Sequence, residues 1–249
     1  MNSRRGFLIN GSLAATALLV SKPFGAIAGV ASRFAGFTGR HNTLVFLHTS
    51  DLNPVSHYRT IQYIAQIKKN NANAMLLNAG NDIQDDSGEL DFDASVKPGS
   101  LSAITGDYRI INKAGIRTGI ISASPGETNV VKKVNDLSSY LKKEKNCQVV
   151  VCLSQLGYKN KNAPDDITLA SASTCLDIII GGHISNFASH PIIALNNNKG
   201  EVIIHSAAGN NFGVGKIEID FDEKGRKRRI DFSDSLLKTY DKSRRKLTA

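Results

Sequence analysis

The strongest constraint on the fold is a regular alternation of strand-like and helix-like patterns after residue 43. Short apolar runs bounded by turn-forming residues are typical of buried strands, and they occur at 44–49, 74–79, 148–153 and 177–181. Segments with helical periodicity separate these runs, at 57–70, 129–146 and near 165–174. This order predicts a layered α/β domain.

The remaining segments predict a hairpin, a set of antiparallel strands and one long loop. Residues 108–122 have the pattern of two strands around a tight turn. From residue 191 onward the strand-like runs PIIALN, EVIIHS and GVGKIEIDF follow one another with turn residues between them, which predicts antiparallel pairing. Residues 80–107 are polar and have no clear period, and a loop of this length inside a domain is commonly functional, disordered or a remnant.

Residues 1–28 have the pattern of a twin-arginine export signal. Arg4 and Arg5 precede Phe7-Leu8 and a weakly apolar stretch, and Ala26-Ile27-Ala28 offers a small-residue cleavage site. The apolar stretch is too short and too polar to span about 30 Å of hydrocarbon. We therefore expect a signal peptide, and a periplasmic or otherwise exported protein whose mature chain has no transmembrane segment.

The rest of the chain divides into a linker, one domain and a basic tail, predicted at 29–42, 43–233 and 234–249. The formal net charge is +9, and lysine and arginine gather at 224–229 and 242–246. A nucleic-acid surface would interleave such residues with aromatic ones, and neither run does so. Solvated charge is the better interpretation, and no nucleic-acid partner is expected.

The three cysteines, Cys147, Cys152 and Cys175, have no spacing typical of a metal site. Cys147 and Cys152 flank or lie within one predicted strand, so a bridge between them would break that strand. Buried free thiols are therefore expected.

Polar residues follow four of the predicted strands. Asp51 follows the first and Asn81 the second, while Ser154-Gln155 and Gly181-Gly182-His183 follow the next two core strands. In open α/β sheets, ligands bind beyond the carboxyl ends of the strands. We therefore predict a site where these four tips share one edge of a sheet.

The order of these motifs resembles the metallophosphatase domain of the 5′-nucleotidase family. The segments that carry the resemblance are LVFLHTSDLN, LLNAGNDIQD, VVVCLSQLGY, LDIIIGGHIS and HSAAGNNFGVGKIEIDF. It extends over residues 43–233 and implies a layered α/β/β/α sandwich of the metallophosphoesterase type. It also implies the family's activity, hydrolysis of nucleotide phosphomonoesters by two divalent metals about 3.5 to 4 Å apart.

The resemblance places six residues of this chain at the family's metal-ligand positions: Asp51, Asn53, Asn81, Gln155, His183 and Ser185. Asp51 and His183 retain the family's residue types. The family has histidine where Asn53, Gln155 and Ser185 stand here. The family's metal-bridging aspartate is replaced by Asn81, a neutral amide that cannot offset the charge of two cations.

Two larger parts of the family pattern have no counterpart here. The Gly-Asn-His-Glu segment, which supplies a metal ligand and the acid for the leaving group, is absent between Asn81 and Gln155. The hairpin 108–122 matches the part of the family pattern that comes directly after that segment, so 80–107 is interpreted as a shortened replacement. The family's C-terminal domain, which grips the nucleotide base between aromatic side chains, is also not found in this sequence.

These departures favour a degenerate two-metal site, no resident cofactor and no residue with a catalytic role. The expected function is that of a pseudoenzyme that binds or scaffolds a separate exported chain, one that carries the nucleotide-binding domain. Whether the chain is an enzyme stays open at this point, and two alternatives remain.

The first alternative is an active periplasmic phosphohydrolase or 5′-nucleotidase with a remodelled zinc or manganese site. Such a site would combine Asp51, His183 and a carboxylate from the loop. The loop candidates are Asp85, Asp86, Asp91 and Asp93. The second alternative is a polar rim that holds a phosphate or nucleotide without cleaving it, formed by Asn53, Asn81, Gln155 and Ser185.

Overall fold

Two β-sheets form the centre of the fold, and helices cover their outer faces. The computed structural model describes residues 42–50, 57–71, 73–80, 92–96, 106–182, 191–207 and 213–236. The strands are β1 Asn42–Thr49, β2 Met75–Asn78, β3 Ala94–Ser95, β4 Arg109–Lys113, β5 Ile116–Ala123, β6 Val149–Ser154, β7 Ile178–Gly181, β8 Ile192–Leu195, β9 Glu201–His205, β10 Gly213–Phe221 and β11 Lys227–Leu236. The helices are α1 His57–Asn70, α2 Val130–Lys143 and α3 Asp166–Ala172.

Both sheets combine parallel and antiparallel pairs. Sheet A has the strand order β11-β10-β1-β2-β3, and sheet B has the order β4-β5-β6-β7-β9-β8. β1 and β2 are parallel, as are β5, β6, β7 and β9 in sequence across sheet B. These parallel strands end on the same side of their sheets, which places the residues that follow them close together.

The main core lies between the two sheets and follows the alternation of side chains along the strands. Leu44 and Phe46 of β1 are buried there with Val149 and Val151 of β6. Successive side chains of a strand point to opposite faces, so the other faces of these strands need separate cover.

The helices supply that cover. Ile61 and Ile64 of α1 pack with Leu47 and Leu76 on the outer face of sheet A. On the outer face of sheet B, α2 packs with Val150 of β6 in a cluster that also contains residues of α3. The predicted α/β/β/α layering is confirmed, and α1 has the predicted bounds.

The polar passage 80–107 contains an ordered element that the sequence pattern did not predict. Ala94 and Ser95 form β3, which pairs in parallel with β2. Just before it, Asp93 accepts hydrogen bonds from Lys68 of α1 at 3.0 Å and from Lys113 of β4 at 3.3 Å. One carboxylate thus ties the edge of sheet A to the edge of sheet B.

Three further details correct the sequence interpretation. The predicted antiparallel pairing is confirmed for β8 with β9 and for β10 with β11, but the two pairs lie in different sheets. Pairing of β11 continues through residues 234–236, inside the segment predicted as a tail. Cys147 and Cys152 are buried free thiols as predicted, but Cys175 is only partly buried.

Candidate functional site

The four predicted tips follow strands of two sheets, which corrects the prediction of one sheet edge. β1 and β2 belong to sheet A, and β6 and β7 belong to sheet B. Within each sheet, backbone hydrogen bonds continue past the paired strands. Ala79 N–H donates to Thr49 O at 3.1 Å, and Gly182 N–H donates to Ser154 O at 2.7 Å.

A direct backbone contact joins the two sheets at this point. A Cβ atom on Gly182 would lie 1.7 Å from the carbonyl oxygen of Ala79 and 2.9 Å from Gly80 N. Only glycine permits backbones to approach this closely. The contact brings together the segments that lead into Asn81 and into His183.

A second contact joins the end of β1 to the end of β9. Ser50 Oγ donates to Ala207 O at 2.8 Å, and both residues are buried. The residues immediately before Asp51, Asn81 and His183 are therefore all anchored at the junction of the sheets. The strand framework of the predicted site is present.

Gln155 is the one predicted site residue that lies within the described part of the chain. It follows β6, is partly buried, and its N–H donates to Ala123 O of β5 at 2.8 Å. The other predicted site residues, Asp51, Asn53, Asn81, His183 and Ser185, lie outside the described residues.

A buried carboxyl group contacts Ser154, the residue before Gln155. Asp166 of α3 is 1% exposed, and its Oδ1 accepts a hydrogen bond from Ser154 Oγ at 2.5 Å. Its Oδ2 has no hydrogen-bond partner among the described residues. Burial raises the pKa of Asp166 to about 7, although the hydrogen bond from Ser154 acts in the opposite direction.

Two buried histidines meet between the sheets beneath the end of β1. His48 Nε2 lies 2.6 Å from His205 Nδ1, and the rings are nearly perpendicular. Burial lowers the pKa of His205 to about 4, and burial together with the neighbouring His205 lowers the pKa of His48 well below its ordinary value. Both rings are therefore neutral near pH 7.

The short contact between the two rings requires one of the two nitrogens to carry a proton. Which of them donates depends on the tautomers of the two rings. His48 Nδ1 is buried and has no partner among the described residues.

The sequence analysis did not predict the buried Asp166 or the pair of His48 and His205, although the sequence carries a signal for His48. Leu44, Phe46 and His48 alternate along β1, and the first two face the core between the sheets, so the period of two predicts that His48 faces the same core. No local pattern distinguishes His205 from an ordinary strand residue or Asp166 from an ordinary residue at the start of a helix.

The structure limits the loop carboxylates that could serve in the remodelled metal site. Asp93, one of the loop carboxylates considered for it, pairs with Lys68 and Lys113, and it also accepts from Leu76 N–H at 2.8 Å. The Asp93 carboxylate is thus occupied by contacts that fix the chain directly before β3. The other loop candidates, Asp85, Asp86 and Asp91, lie outside the described residues.

Comparison with known proteins supports the fold. The chain is similar to the crystal structure of a 5′-nucleotidase precursor from Thermus thermophilus, with 20% identity over 78% of this chain and 54% of that chain and a TM-score of 0.58. It is also similar to NAD nucleotidase from Haemophilus influenzae, with 13% identity over 79% of this chain and 51% of that one and a TM-score of 0.61. A hypothetical protein from Thermus thermophilus matches at 9% identity and a TM-score of 0.54, over 78% of this chain and 99% of its own length.

These similarities define the class of fold. The chain has a metallophosphoesterase-type fold of the kind found in 5′-nucleotidase structures, and it spans about half the length of the two nucleotidases. No protein-family model and no curated protein matches the chain. Within the described ranges, no helix is long and apolar enough to cross a bilayer.

The donor set at the predicted positions does not fit the two divalent metals that the resemblance implies. The six side chains comprise one carboxylate, one imidazole, three amides and one hydroxyl. Zinc and manganese sites are built from carboxylates and neutral imidazoles, and a bridging anion is needed to offset two cations. In the part of the chain that the structure describes, no group of three or more His, Cys, Asp or Glu side chains could hold a metal ion.

Proposed function

We propose that this chain is an exported, non-catalytic protein with a metallophosphoesterase fold, which acts as a binding or scaffolding partner of another exported chain. One observation carries the proposal. The strand ends that would position a two-metal centre keep their close backbone contacts, including the one between Gly182 and Ala79. The side chains that would hold the metals are largely neutral.

The chemistry of the donor set supports the loss of hydrolysis. Asn81 stands at the position of the family's bridging carboxylate, and an amide carries no charge to hold two cations together. Without metals, no group at these positions would generate a hydroxide at neutral pH or neutralise the charge of a phosphate.

The proposed partner is a separate exported chain that carries a nucleotide-binding domain. The support is the fold that this chain shares with two nucleotidase structures, whose names point to nucleotide ligands. A fold retained without its metal ligands serves better as a surface for another protein than as a reaction centre.

Hydrolysis of nucleoside monophosphates in the presence of zinc or manganese tests the loss of catalysis. We expect the same background rate from the wild-type protein and from Asp51→Asn, which removes the one carboxylate of the predicted set. Metal-dependent turnover by the wild type that disappears in Asp51→Asn would instead establish a remodelled enzyme.

Export is tested independently of catalysis. The Arg4→Lys, Arg5→Lys double variant keeps the positive charge but should accumulate as an unprocessed precursor in the cytoplasm, because the receptor reads the paired arginines. Lys22→Arg, a change of the same type outside the pair, is the control. Processing of the double variant at the wild-type rate would contradict the twin-arginine route.

A further inference from the structure

Four strands form the outer edges of the two sheets. They are β3 and β11 in sheet A and β4 and β8 in sheet B. An edge strand presents unpaired N–H and C=O groups, so proteins commonly protect edges with short strands or with charged side chains.

Three of the four edges have such protection. β3 consists of two residues. β4 carries Arg109 and Lys113 at its two ends. β11 begins with Lys227, Arg228 and Arg229.

β8 carries no charged side chain, and its protection is limited to its length of four residues and to Pro191 directly before it. It consists of Ile192, Ile193, Ala194 and Leu195, preceded by Pro191 and without a charged residue. Ile193 is 41% exposed and Leu195 is 56% exposed. Among the described residues, Tyr140 is the one other large apolar side chain with comparable exposure.

The two exposed side chains share the face of sheet B that packs against sheet A. Ile193 lies opposite Ile203 of β9, which belongs to the core between the sheets. Ile192 and Ala194 pack on the other face, with the cluster that contains α2 and α3. The apolar surface at β8 is therefore a partly exposed margin of the main core.

The backbone of β8 has a defined set of outward groups. Asn196 N–H donates to Gly200 O at 2.9 Å, which directs this N–H toward β9. In an antiparallel ladder the direction alternates from residue to residue. Ile192 and Ala194 therefore also pair with β9, whereas the N–H and C=O groups of Ile193 and Leu195 point away from the sheet.

We infer that β8 is a dimerisation strand on which the β8 of a second copy of this chain pairs in antiparallel orientation. A two-fold axis at Ala194 places Ile193 of each copy opposite Leu195 of the other. These are the residues whose N–H and C=O groups point outward, so each pair exchanges two hydrogen bonds. Their side chains also lie on one face and bury each other.

Charge explains why this edge suits a second copy while β4 does not. The same operation on β4, centred on Ile111, would place Arg109 opposite Lys113 of the second copy. Like charges directly opposite each other destabilise a strand pair, and Asp93 offsets only part of this charge by its pairing with Lys113. β8 has no charged residue to oppose its own copy, and its pattern is self-complementary, as a symmetric interface requires.

Sedimentation equilibrium of the wild type and of Leu195→Lys tests the inference. We expect the wild type to have twice the mass of the chain, and Leu195→Lys to raise the dissociation constant by at least about tenfold, since the lysine ammonium would be buried against Ile193. Tyr140→Lys, which replaces an exposed apolar side chain on α2 that packs on Tyr108 beside β4, should dimerise like the wild type.

Either of two results would overturn the inference. One is a wild-type protein that stays monomeric throughout the concentration series, including the case in which β8 binds a different protein. The other is a Leu195→Lys dimer as tight as that of the wild type.

Cross-linking tests the register without depending on a destabilising substitution. Ala194 faces its own copy across the axis as a non-hydrogen-bonded pair, in which the Cα atoms are about 4.5 Å apart, a separation that a disulfide can bridge. In a Cys175→Ser background, Ala194→Cys should therefore form a covalent dimer on oxidation. Ile192→Cys, opposite Asn196 of the second copy, should not, and equal cross-linking of both variants would exclude this register.

Discussion

Gly182 and Gln155 lie just beyond neighbouring strands, but the fold depends on them to different degrees. Gly182 has no room for a side chain, because a Cβ atom would lie 1.7 Å from Ala79 O. Gln155 is partly buried, and the contact that fixes its position is made by its backbone N–H. The junction of the two sheets therefore constrains the backbone, whereas the side chains beyond it are open to replacement. This difference would allow the side chains of a metal site to change while the fold persists.

Alanine substitution should lower the free energy of unfolding far more at Gly182 than at Gln155. Gly182→Ala should lower the free energy of unfolding by at least about 4 kcal/mol or prevent folding, since the clash is with backbone that cannot rotate away. Gln155→Ala should change it by less than about 1 kcal/mol. Urea unfolding of both variants is the measurement, and similar losses would show that the contrast between backbone and side chain is wrong.

Local pattern was sufficient to predict the elements of the fold but not their distribution between two sheets. Helix α1 has the predicted bounds, because its periodicity and its flanking residues are encoded within the segment itself. β9 and β10 are consecutive in the chain yet join different sheets, since pairing is decided by tertiary contacts that a strand pattern does not contain.

The candidate site was predictable to a similar extent. Motif order predicted which strand ends meet, and the contact of Gly182 with Ala79 places two of them together. The His48–His205 pair could not be found in this way, because its members are separated by 157 positions along the chain. Asp93 was predicted to lie in an irregular loop, but its two lysine partners come from α1 and β4.

The two buried polar groups beneath the site respond to pH in opposite directions. The folded-state pKa of Asp166 is raised from 3.8 to about 7, so its contribution to stability is greatest below pH 3.8 and is lost as the pH rises to about 7. The folded-state pKa of His205 is lowered from 6.5 to about 4, so its contribution is present above pH 6.5 and is lost as the pH falls to about 4. Between about pH 4 and pH 6.5 the two effects oppose each other.

Asp166→Asn should remove the pH-dependent contribution of Asp166 to stability and leave that of His205. The wild type loses about 2 to 3 kcal/mol from Asp166 between about pH 5 and pH 8, and the variant should not. The variant should therefore gain stability relative to the wild type as the pH rises over this range. Denaturant unfolding at a series of pH values measures the difference. Asp136→Asn removes an exposed carboxylate as the control, and parallel profiles for the wild type and Asp166→Asn would contradict the assignment.

The central claim is that the metal centre was lost through its side chains while the framework that positioned it remained. Calorimetric titration of zinc and manganese into the wild type and into the variant Asn53→His, Asn81→Asp, Gln155→His, Ser185→His tests this directly. We expect binding no tighter than about 1 mM in the wild type and about 1 μM in the variant. The variant should still hydrolyse nucleoside monophosphates near background, because the segment that supplies the leaving-group acid is absent, and loss of such an acid costs roughly 10² to 10⁴ in rate. Two metals bound per wild-type chain, or turnover by the variant approaching about 1 per second, would contradict the account.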